Sequence, residues 1–421
     1  MSDERSSTPA QLDTKHGHRT LGLWPMWYAL ATCLATAICL VVITWFMFNW
    51  LIGSPPKASP KPLEVTTQLE LAKLAFATVA GLGALVALVT GYRRQRIDEA
   101  AQILAQKTAS DTAHDAAERR ITELYGQSVE QLGHEHAAVR LGGLYALERL
   151  AQDNPDHRET VVSVICAYLR MPFLSQEIPA SAPRGVTYPL NLLETLDREG
   201  QQELQVRLAA QSILRSHLIH HQGSSGRNYW SGIVLNLSGA ELIHFSLQEC
   251  KVFLANFEGA RFIGHTGFYA AEFNIANFIG SVFQGSASYE KATFRLANFD
   301  NSTFAGAAGF KEATFGDIAA FDNVAFNDDA IFARASFRDS TYFRSAKFTA
   351  AAIFVDASIK EARFQGAEFS GYATFQSARF DAEPDFYGAT ASHPNADHVW
   401  PARWRTDSLA SEGMAPLVNR D

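Results

Sequence analysis

The stretch ATFRLANFDNSTFAGAAGFKEATFGDIAAF, residues 292–321, decides the fold because it repeats a phenylalanine at intervals of five or six residues. An α-helix repeats every 3.6 residues and a strand every two, so neither element alone gives this spacing. An alanine stands two places before most of the rings. Such alternation fits an extended backbone, and a corner between units would restart it. The stretch predicts short extended sides joined by regular corners.

The same pattern runs from Leu237 to Phe386, where 29 large apolar positions can be marked and 23 of them are Phe. The residue two before the mark is Ala in 20 of the 29 cases. A large and a small residue on each side can fill a narrow interior without overpacking it. The predicted structural core comprises Phe257, Phe262, Phe273, Phe278, Phe294, Phe299, Phe315, Phe326, Phe337, Phe348, Phe364, Phe369 and Phe380.

Steps of six residues precede nine of the marked positions. Between Phe304 and Ile359 they alternate with steps of five, which gives an 11-residue period. One extra residue can be absorbed at a corner as a bulge. We therefore expect the inward pattern to persist, with wider corners.

Units such as LSGAELIHF, LANFEGARF and AEFNIANFIG resemble those of pentapeptide-repeat proteins. The resemblance implies a right-handed quadrilateral parallel β-helix, a solenoid in which each unit forms one side and four units make a turn. With 29 units this gives about seven turns, and strands stacked at about 4.8 Å would make a rod about 30 to 35 Å long.

Two apolar runs near the start predict two transmembrane helices. Residues 26–48 contain no charge over 23 positions, and Leu74 to Tyr92 is uncharged over 19, close to the length of about 20 that spans a bilayer. A cleaved signal peptide, the alternative for the first run, would have a shorter apolar region. Arg93, Arg94 and Arg96 predict a cytoplasmic end for the second span. We expect a two-pass protein of the plasma membrane with both termini cytoplasmic.

The segments YRRQR, VRLGGLYALERLA and VICAYLRMP, taken with the repeats, resemble membrane-tethered pentapeptide-repeat proteins of actinobacterial type between Leu69 and Phe386. The predicted fold class is two transmembrane helices, a small α-helical middle domain and the β-solenoid. The predicted domains are a disordered cytoplasmic leader (1–22), a transmembrane helical hairpin (23–96), a helical stalk and N-terminal cap (97–232), the solenoid (233–390), and a C-terminal cap with a flexible tail (391–421).

The middle region predicts helices from Ile97 to Leu132, a helical pair within residues 137–172 that is broken at Asn154 and Pro155, and a further helix from about Glu199 to His221. The pair is similar to one unit of HEAT-type repeats. A solvated stalk is favoured over a coiled coil before the pair, because the heptads are not sustained.

Four histidines, His217, His220, His221 and His244, suggest a metal site. No Cys or Glu completes a zinc pattern, and adjacent histidines point to different sides of a helix. Solvated or cap-contacting histidines are favoured, and no metal or cofactor is predicted. Arg140 and Glu148 are predicted to form surface pairs. The four cysteines suggest neither a disulfide framework nor a zinc site.

Charge and motif content favour a binding function over catalysis. The formal charge of -8 argues against a nucleic-acid partner. Outward residues such as Asp328, Asp329, Arg334, Arg338 and Arg344 form no catalytic motif, so no enzyme activity is predicted. We expect a non-catalytic scaffold with the lipid bilayer and an unknown protein as partners, and homo-oligomerisation stays open. The alternative is a DNA-mimicking modulator of a topoisomerase, although residues 237–390 carry only 18 acidic against 12 basic residues.

Overall fold

A computed structural model describes residues 26–52, 65–174, 196–220, 228–392, 398–407 and 414–419. The chain divides into two compact units, Met1–Ala116 and Ala117–Asp421. The predicted leader (1–22), the proline-rich connector between the two apolar runs and His221 lie outside the described residues.

Two helices contain the predicted spans. Helix α1 is Met26–Ile52, and helix α2 is Val65–Leu132, so the second apolar run continues without a break through the predicted stalk. Among the described residues, the stretch Phe76–Leu132 is long and apolar enough to cross a membrane by length and composition, whereas Leu34–Met47 is a shorter apolar stretch. Only one candidate span is therefore found where two were predicted, and the two-pass arrangement stays a prediction.

Three further helices belong to the second unit. Helix α3 is Ala137–Asp153, a 3₁₀ turn follows at Pro155–His157, helix α4 is Arg158–Arg170 and helix α5 is Arg198–Leu218. The break between α3 and α4 lies at Asn154 and Pro155 because proline cannot continue the preceding helix. The Asp197 carboxylate accepts a hydrogen bond from the Gly200 N–H at 2.7 Å and so caps α5.

The remainder of the second unit is a β-solenoid of short strands. In chain order these are β1 (Val234–Asn236), β2 (Glu241–Ile243), β3 (Lys251–Asn256), β4 (Arg261–Ile263), β5 (Thr266–Gly267), β6 (Glu272–Asn277), β7 (Val282–Phe283), β8 (Ala287–Ser288), β9 (Thr293–Asn298), β10 (Thr303–Phe304), β11 (Ala308–Gly309), β12 (Thr314–Phe315), β13 (Ala319–Ala320), β14 (Ala325–Phe326), β15 (Ala330–Ile331), β16 (Ser336–Tyr342), β17 (Lys347–Phe348), β18 (Ala352–Ile353), β19 (Ser358–Arg363), β20 (Glu368–Phe369), β21 (Ala373–Thr374), β22 (Arg379–Phe380), β23 (Thr390–Ser392), β24 (Trp404–Thr406) and β25 (Met414–Asn419).

Three sheets form four faces, which we number 1 to 4 in the order in which the chain follows them. Val252 lies behind face 1, and Phe257, Phe262 and Phe268 lie behind faces 2, 3 and 4. The sheet β1-β3-β6-β9-β12-β16-β19-β22, with β13 between β9 and β16, covers faces 1 and 2. The run β2-β4-β7-β10-β14-β17-β20-β23 forms face 3, and β5-β8-β11-β15-β18-β21 forms face 4. Seven large residues lie behind face 1: Val252, Phe273, Phe294, Phe315, Phe337, Ile359 and Phe380.

The solenoid has about eight turns, against the seven predicted from the marked positions. The 29 marks make about seven and a quarter turns, because Phe386 on face 2 already belongs to the eighth. On face 3 the eighth turn continues with Ala391, which β23 brings into register with Phe369 of β20. Alanine is too small to be recognised as a ring position, so this part of the last turn escaped a count that was based on large residues.

The rings stack from turn to turn on every face. Centroid separations between neighbouring turns run from 4.4 Å for Phe262–Phe283 to 5.4 Å for Phe273–Phe294, with nearly parallel planes. Across the axis, rings of faces 2 and 4 interlock edge to face, as in Phe299–Phe310 at 5.5 Å and 87°. Offset stacks and edge-to-face contacts are the two favourable geometries for aromatic rings. This interior is the main hydrophobic core of the second unit.

The corners explain the six-residue steps. After rings of faces 2 and 4, the second residue has a positive φ, as at Asn301 (59°), and a hydrogen bond from Ser302 N–H to Phe299 O at 3.1 Å closes the turn. All nine six-residue steps instead follow rings of faces 1 and 3. One such extra residue appears as a register shift between Phe337 and Ser340, where β16 pairs with β19.

Both ends of the solenoid are covered. At the first turns, the Gln211 side-chain amide donates to Ile243 O at 2.8 Å and accepts from Ile243 N–H at 3.1 Å, as a neighbouring strand would do. At the last turns, β23, β25 and β24 pair antiparallel. Trp400 lies 5.2 Å from the Phe369 ring and Trp404 lies 5.3 Å from Phe386, so these indoles cover the final rings.

Candidate functional site

The predicted core phenylalanines lie inside the solenoid and form no surface site. Twelve of the thirteen are buried, and Phe380 at the last turn of face 1 is partly buried against the same core. They form the interior of the solenoid. Any site must therefore be built from the outward residues between them.

Ion pairs between neighbouring turns cover most of the outward charge. Eight of the twelve basic residues within 237–390 pair with an acidic residue, and seven of these pairs join residues 21 or 22 positions apart. On face 1, Arg295 donates to Asp317 at 2.8 Å and Lys360 to Asp339 at 3.2 Å. Exposed pairs of this kind contribute little to stability, typically about 0 to 1 kcal/mol. Their effect is to give the walls a mixed, locally neutral surface.

A groove runs along face 1, with a volume of 560 Å³. The segment between α5 and β1 contributes Tyr229 to one end, and the groove then passes Phe253, Asn274 and Arg295 to reach Arg338. Because successive turns are about 4.8 Å apart, the four turn-to-turn steps from Phe253 to Arg338 span about 19 Å. The groove is long enough for an extended segment of another chain.

Two groups in the groove depart from the outward pattern. Phe253, the residue after the Val252 mark, leaves 53% of its surface exposed. Arg338 is exposed, and its guanidinium has no hydrogen bond or ion pair with the described residues. Between Arg295 and Arg338 in this ladder stands Gly316, which adds no side chain. An exposed aromatic ring and an unpaired guanidinium are common anchors of protein interfaces.

The end of the groove near the helices is held by a small polar cluster. Lys251 contacts Glu272 at 3.0 Å, and the hydrogen bond to that carboxylate raises the pKa of Lys251. Burial raises the pKa of Tyr229, so the phenol stays protonated near neutral pH. Its edge meets the His220 ring at a centroid distance of 4.8 Å. This end of the groove therefore combines aromatic and polar groups. The ion pair between Lys251 and Glu272 adds no net charge to it.

The suggested histidine site is not assembled among the described residues, and His221 lies outside them. His217 is buried, with Nε2 2.8 Å from Glu148 Oε1 and Nδ1 2.8 Å from Asn228 O, and its ring stacks on Trp230 at 3.9 Å. It holds α5 to α3 and to the first turn of the solenoid. The described residues contain no group of three His, Cys, Asp or Glu side chains that could hold a metal ion.

Arg140 and Glu148, which were each predicted to form surface pairs, are partly buried instead. Arg140 contacts Glu203 at 3.1 Å, and Glu148 contacts His217 rather than an arginine. Glu203 also accepts from Arg207, which is 2% exposed and donates to Leu169 O and Met171 O at the end of α4. These charges fix the helices to one another because Nε, Nη1 and Nη2 of the buried Arg207 guanidinium each have an acceptor.

Cys166 and Cys250 are both buried. Burial raises the pKa of each thiol to about 12. Low-pKa, exposed thiols are the reactive ones, so these two are structural. Cys166 stands in an apolar stretch of α4, whereas the sequence around Cys250 is more polar and does not reveal its burial.

Phe253 was missed because the sequence pattern treats the position after each mark as solvated. A signal existed, since an outward phenylalanine directly follows the inward Val252 in a ladder that is otherwise polar or glycine. The groove itself was not predictable from spacing. It depends on the segment after α5, which lies beside face 1.

Comparison with known proteins gives one match. Residues 289–336, 332–379 and 343–390 match the family model described as Pentapeptide repeats (9 copies). No curated protein and no solved structure matches the chain significantly. The earlier turns continue the same stacking outside the matched residues. Nothing in the comparison bears on membrane tethering or on the actinobacterial type.

Proposed function

Because the chain is a pentapeptide-repeat protein, we propose that it is a non-catalytic interaction scaffold that is anchored in the plasma membrane and exposes its solenoid to the cytoplasm. The groove on face 1 carries this proposal. There, an exposed phenylalanine and an unpaired arginine lie on a wall whose other charges are mostly paired. A stacked core holds that wall rigid, which lowers the entropy cost of binding.

The membrane anchor rests on α1 and α2. The stretch Phe76–Leu132 begins with an apolar run, and Arg93, Arg94 and Arg96 follow that run as the positive-inside rule expects. The Arg96 guanidinium lies 5.7 Å from the Tyr92 ring, an arrangement suited to the interface between lipid and water. The first span is proposed for α1 from its composition alone.

The alternative function, DNA mimicry directed at a topoisomerase, is less favoured. A mimic of duplex DNA needs a strongly acidic surface. Half of the 18 acidic residues within 237–390 pair with a lysine or arginine. The remaining charge is modest and is spread over several faces.

The test is recovery of partners from native membranes. Tagged full-length protein is expressed at its normal level, membranes are washed with carbonate, and protein complexes are captured in mild detergent. We expect the protein to resist the wash and to retain a defined set of proteins. Release into the soluble fraction would exclude the anchor, and an empty capture would exclude the scaffold. Recovery of a topoisomerase would favour the alternative, and turnover of a substrate by the purified chain would exclude the non-catalytic assignment.

A further inference from the structure

We propose that the groove on face 1 binds an extended acidic segment of a protein partner, which packs an apolar side chain on Phe253 and places a carboxylate on Arg338. This inference rests on the proposed scaffold function and specifies the chemistry of its partner. It concerns one surface only. The other three faces have no part in it.

Charge complementarity points to an acidic occupant. The charged residues that line the groove are Lys251, Glu272, Arg295 and Arg338, a net of +2, whereas residues 237–390 together have a net of -6. Asp317 pairs with Arg295 beside the groove and lowers this net to +1, so the remaining positive charge is that of Arg338. The groove is a basic site on an acidic solenoid.

Arg338 is the cation in the groove that remains available for a partner. Arg295 is held by Asn274 at 2.7 Å and by Asp317 at 2.8 Å, and Lys251 is held by Glu272. Arg338 has no such acceptor among the described residues, and the guanidinium fork matches a carboxylate in a bidentate pair. Hydroxyls of Thr293 and Thr314 lie along the same groove and can donate to further oxygens.

Phe253 supplies the apolar end of the site. It lies one turn from the Asn274 position and shares the groove with Tyr229. An extended chain advances about 3.3 Å per residue, so the distance of about 19 Å to Arg338 corresponds to about six residues. A segment with an apolar residue and an acidic residue about six positions apart would therefore reach both anchors.

A nucleic acid is a poorer fit because it requires several available cations along its backbone. In this groove, Lys251 and Arg295 are already paired with carboxylates, and those carboxylates would face the phosphates. A protein segment that carries few acidic groups avoids this repulsion. We therefore assign the groove to an acidic peptide.

The experiment measures fluorescence anisotropy with full-length protein in detergent. The probe is a labelled peptide of about 12 residues made of Glu, Gly and Phe, with Phe and a Glu about six positions apart, and its counterpart has Lys in place of Glu. We expect the acidic peptide to bind and its affinity to fall with added salt. Arg338→Glu and Phe253→Ser should each weaken binding by about tenfold or more.

Arg379→Glu is the matched control. Arg379 is also exposed on face 1 and has no ion pair with the described residues, but it lies outside the groove. This variant should bind within about twofold of the original protein, since rim charges have small effects. Unchanged thermal unfolding would verify that each variant is folded.

The outcomes separate this inference from the proposed function. Equal binding of the lysine peptide, binding of a single-stranded oligonucleotide in preference to the acidic peptide, or equal losses in all three variants would overturn the acidic groove. No detectable binding by the folded protein would overturn it as well. If native capture nevertheless recovers the same partners with the original protein and with both groove variants, the scaffold function stands while the groove assignment falls.

Discussion

Replacing Tyr289 with phenylalanine should stabilise the solenoid. Tyr289 occupies a ring position on face 4, is fully buried, and stacks on Phe268 at 4.9 Å and on Phe310 at 4.7 Å. Its hydroxyl has no hydrogen-bond partner among the described residues. A buried hydroxyl without a partner costs about 1 to 3 kcal/mol of desolvation, and a phenylalanine ring fits the same stack. We therefore expect the free energy of unfolding to rise by up to about 3 kcal/mol in Tyr289→Phe.

The assay is equilibrium urea unfolding of the full chain in detergent, followed by tryptophan fluorescence and circular dichroism. The midpoint should rise with no change in slope, because the buried surface is nearly the same. The reciprocal variant is Phe310→Tyr, one turn further along the same face, where the ring is also fully buried. It should lower the midpoint by a comparable amount.

High pH gives an independent check. Burial raises the pKa of Tyr289 well above its ordinary value, so the folded protein disfavours the phenolate. Stability from the neutral phenol is complete below the unfolded pKa of about 10 and is lost as pH rises above it. The advantage of Tyr289→Phe should therefore grow above about pH 10. A lower midpoint for Tyr289→Phe at neutral pH would refute the reasoning, because it would mean that the hydroxyl has a partner such as a buried water.

Three further outcomes follow from the same geometry. Gly306→Ala would place its Cβ 2.8 Å from the Gly285 carbonyl carbon and should lower the free energy of unfolding in urea by about 1 to 3 kcal/mol. In the control Gly309→Ala, the Cβ would be 3.9 Å from its nearest neighbour and the effect should be close to zero, so equal effects would contradict this account. Gln211→Leu should speed hydrogen exchange at the Ile243 amide because it exposes the edge of face 3. Gln205→Leu, on the exposed side of α5, should leave that exchange rate unchanged, and an unchanged rate in both variants would exclude the capping role of Gln211. Burial holds the pKa of Cys166 and Cys250 at about 12, so a Cys33→Ser, Cys39→Ser variant should resist thiol reagents at pH 8 while it is folded. Its stability should fall as pH rises from about 9 toward 12, and rapid labelling at pH 8 would contradict the burial of these thiols.

The interior of the solenoid was predictable because each ring position is fixed locally. Phe299 and Ala297 point inward by simple alternation, and the turn at Asn301 restarts the alternation on the next side. The position of the extra residues could also have been read from the sequence. Six-residue steps never follow rings of faces 2 and 4, where a hydrogen-bonded corner with a positive φ admits no insertion.

Contacts between distant segments were not predictable in the same way. His217 was predicted to be solvated or to contact a cap, and the sequence did not identify its partners, which are Glu148 on α3 and the segment that holds Asn228 and Trp230. Periodicity within α5 identifies the buried face of that helix but not what packs on it. The groove has the same origin, because face 1 becomes one of its walls only when the segment that holds Tyr229 lies beside it.

The core of this solenoid therefore determines its stability, whereas its outward surface does not. Stacked rings stabilise every turn, so an outward residue can be replaced without unfolding the solenoid. Most outward positions on face 1 hold small polar groups or charges paired between turns, as for Arg295 and Asp317. An exposed ring at Phe253 and a lone guanidinium at Arg338 contribute nothing evident to that stability. The fold needs neither group, and their place in one groove is the observation from which we propose a partner that binds both.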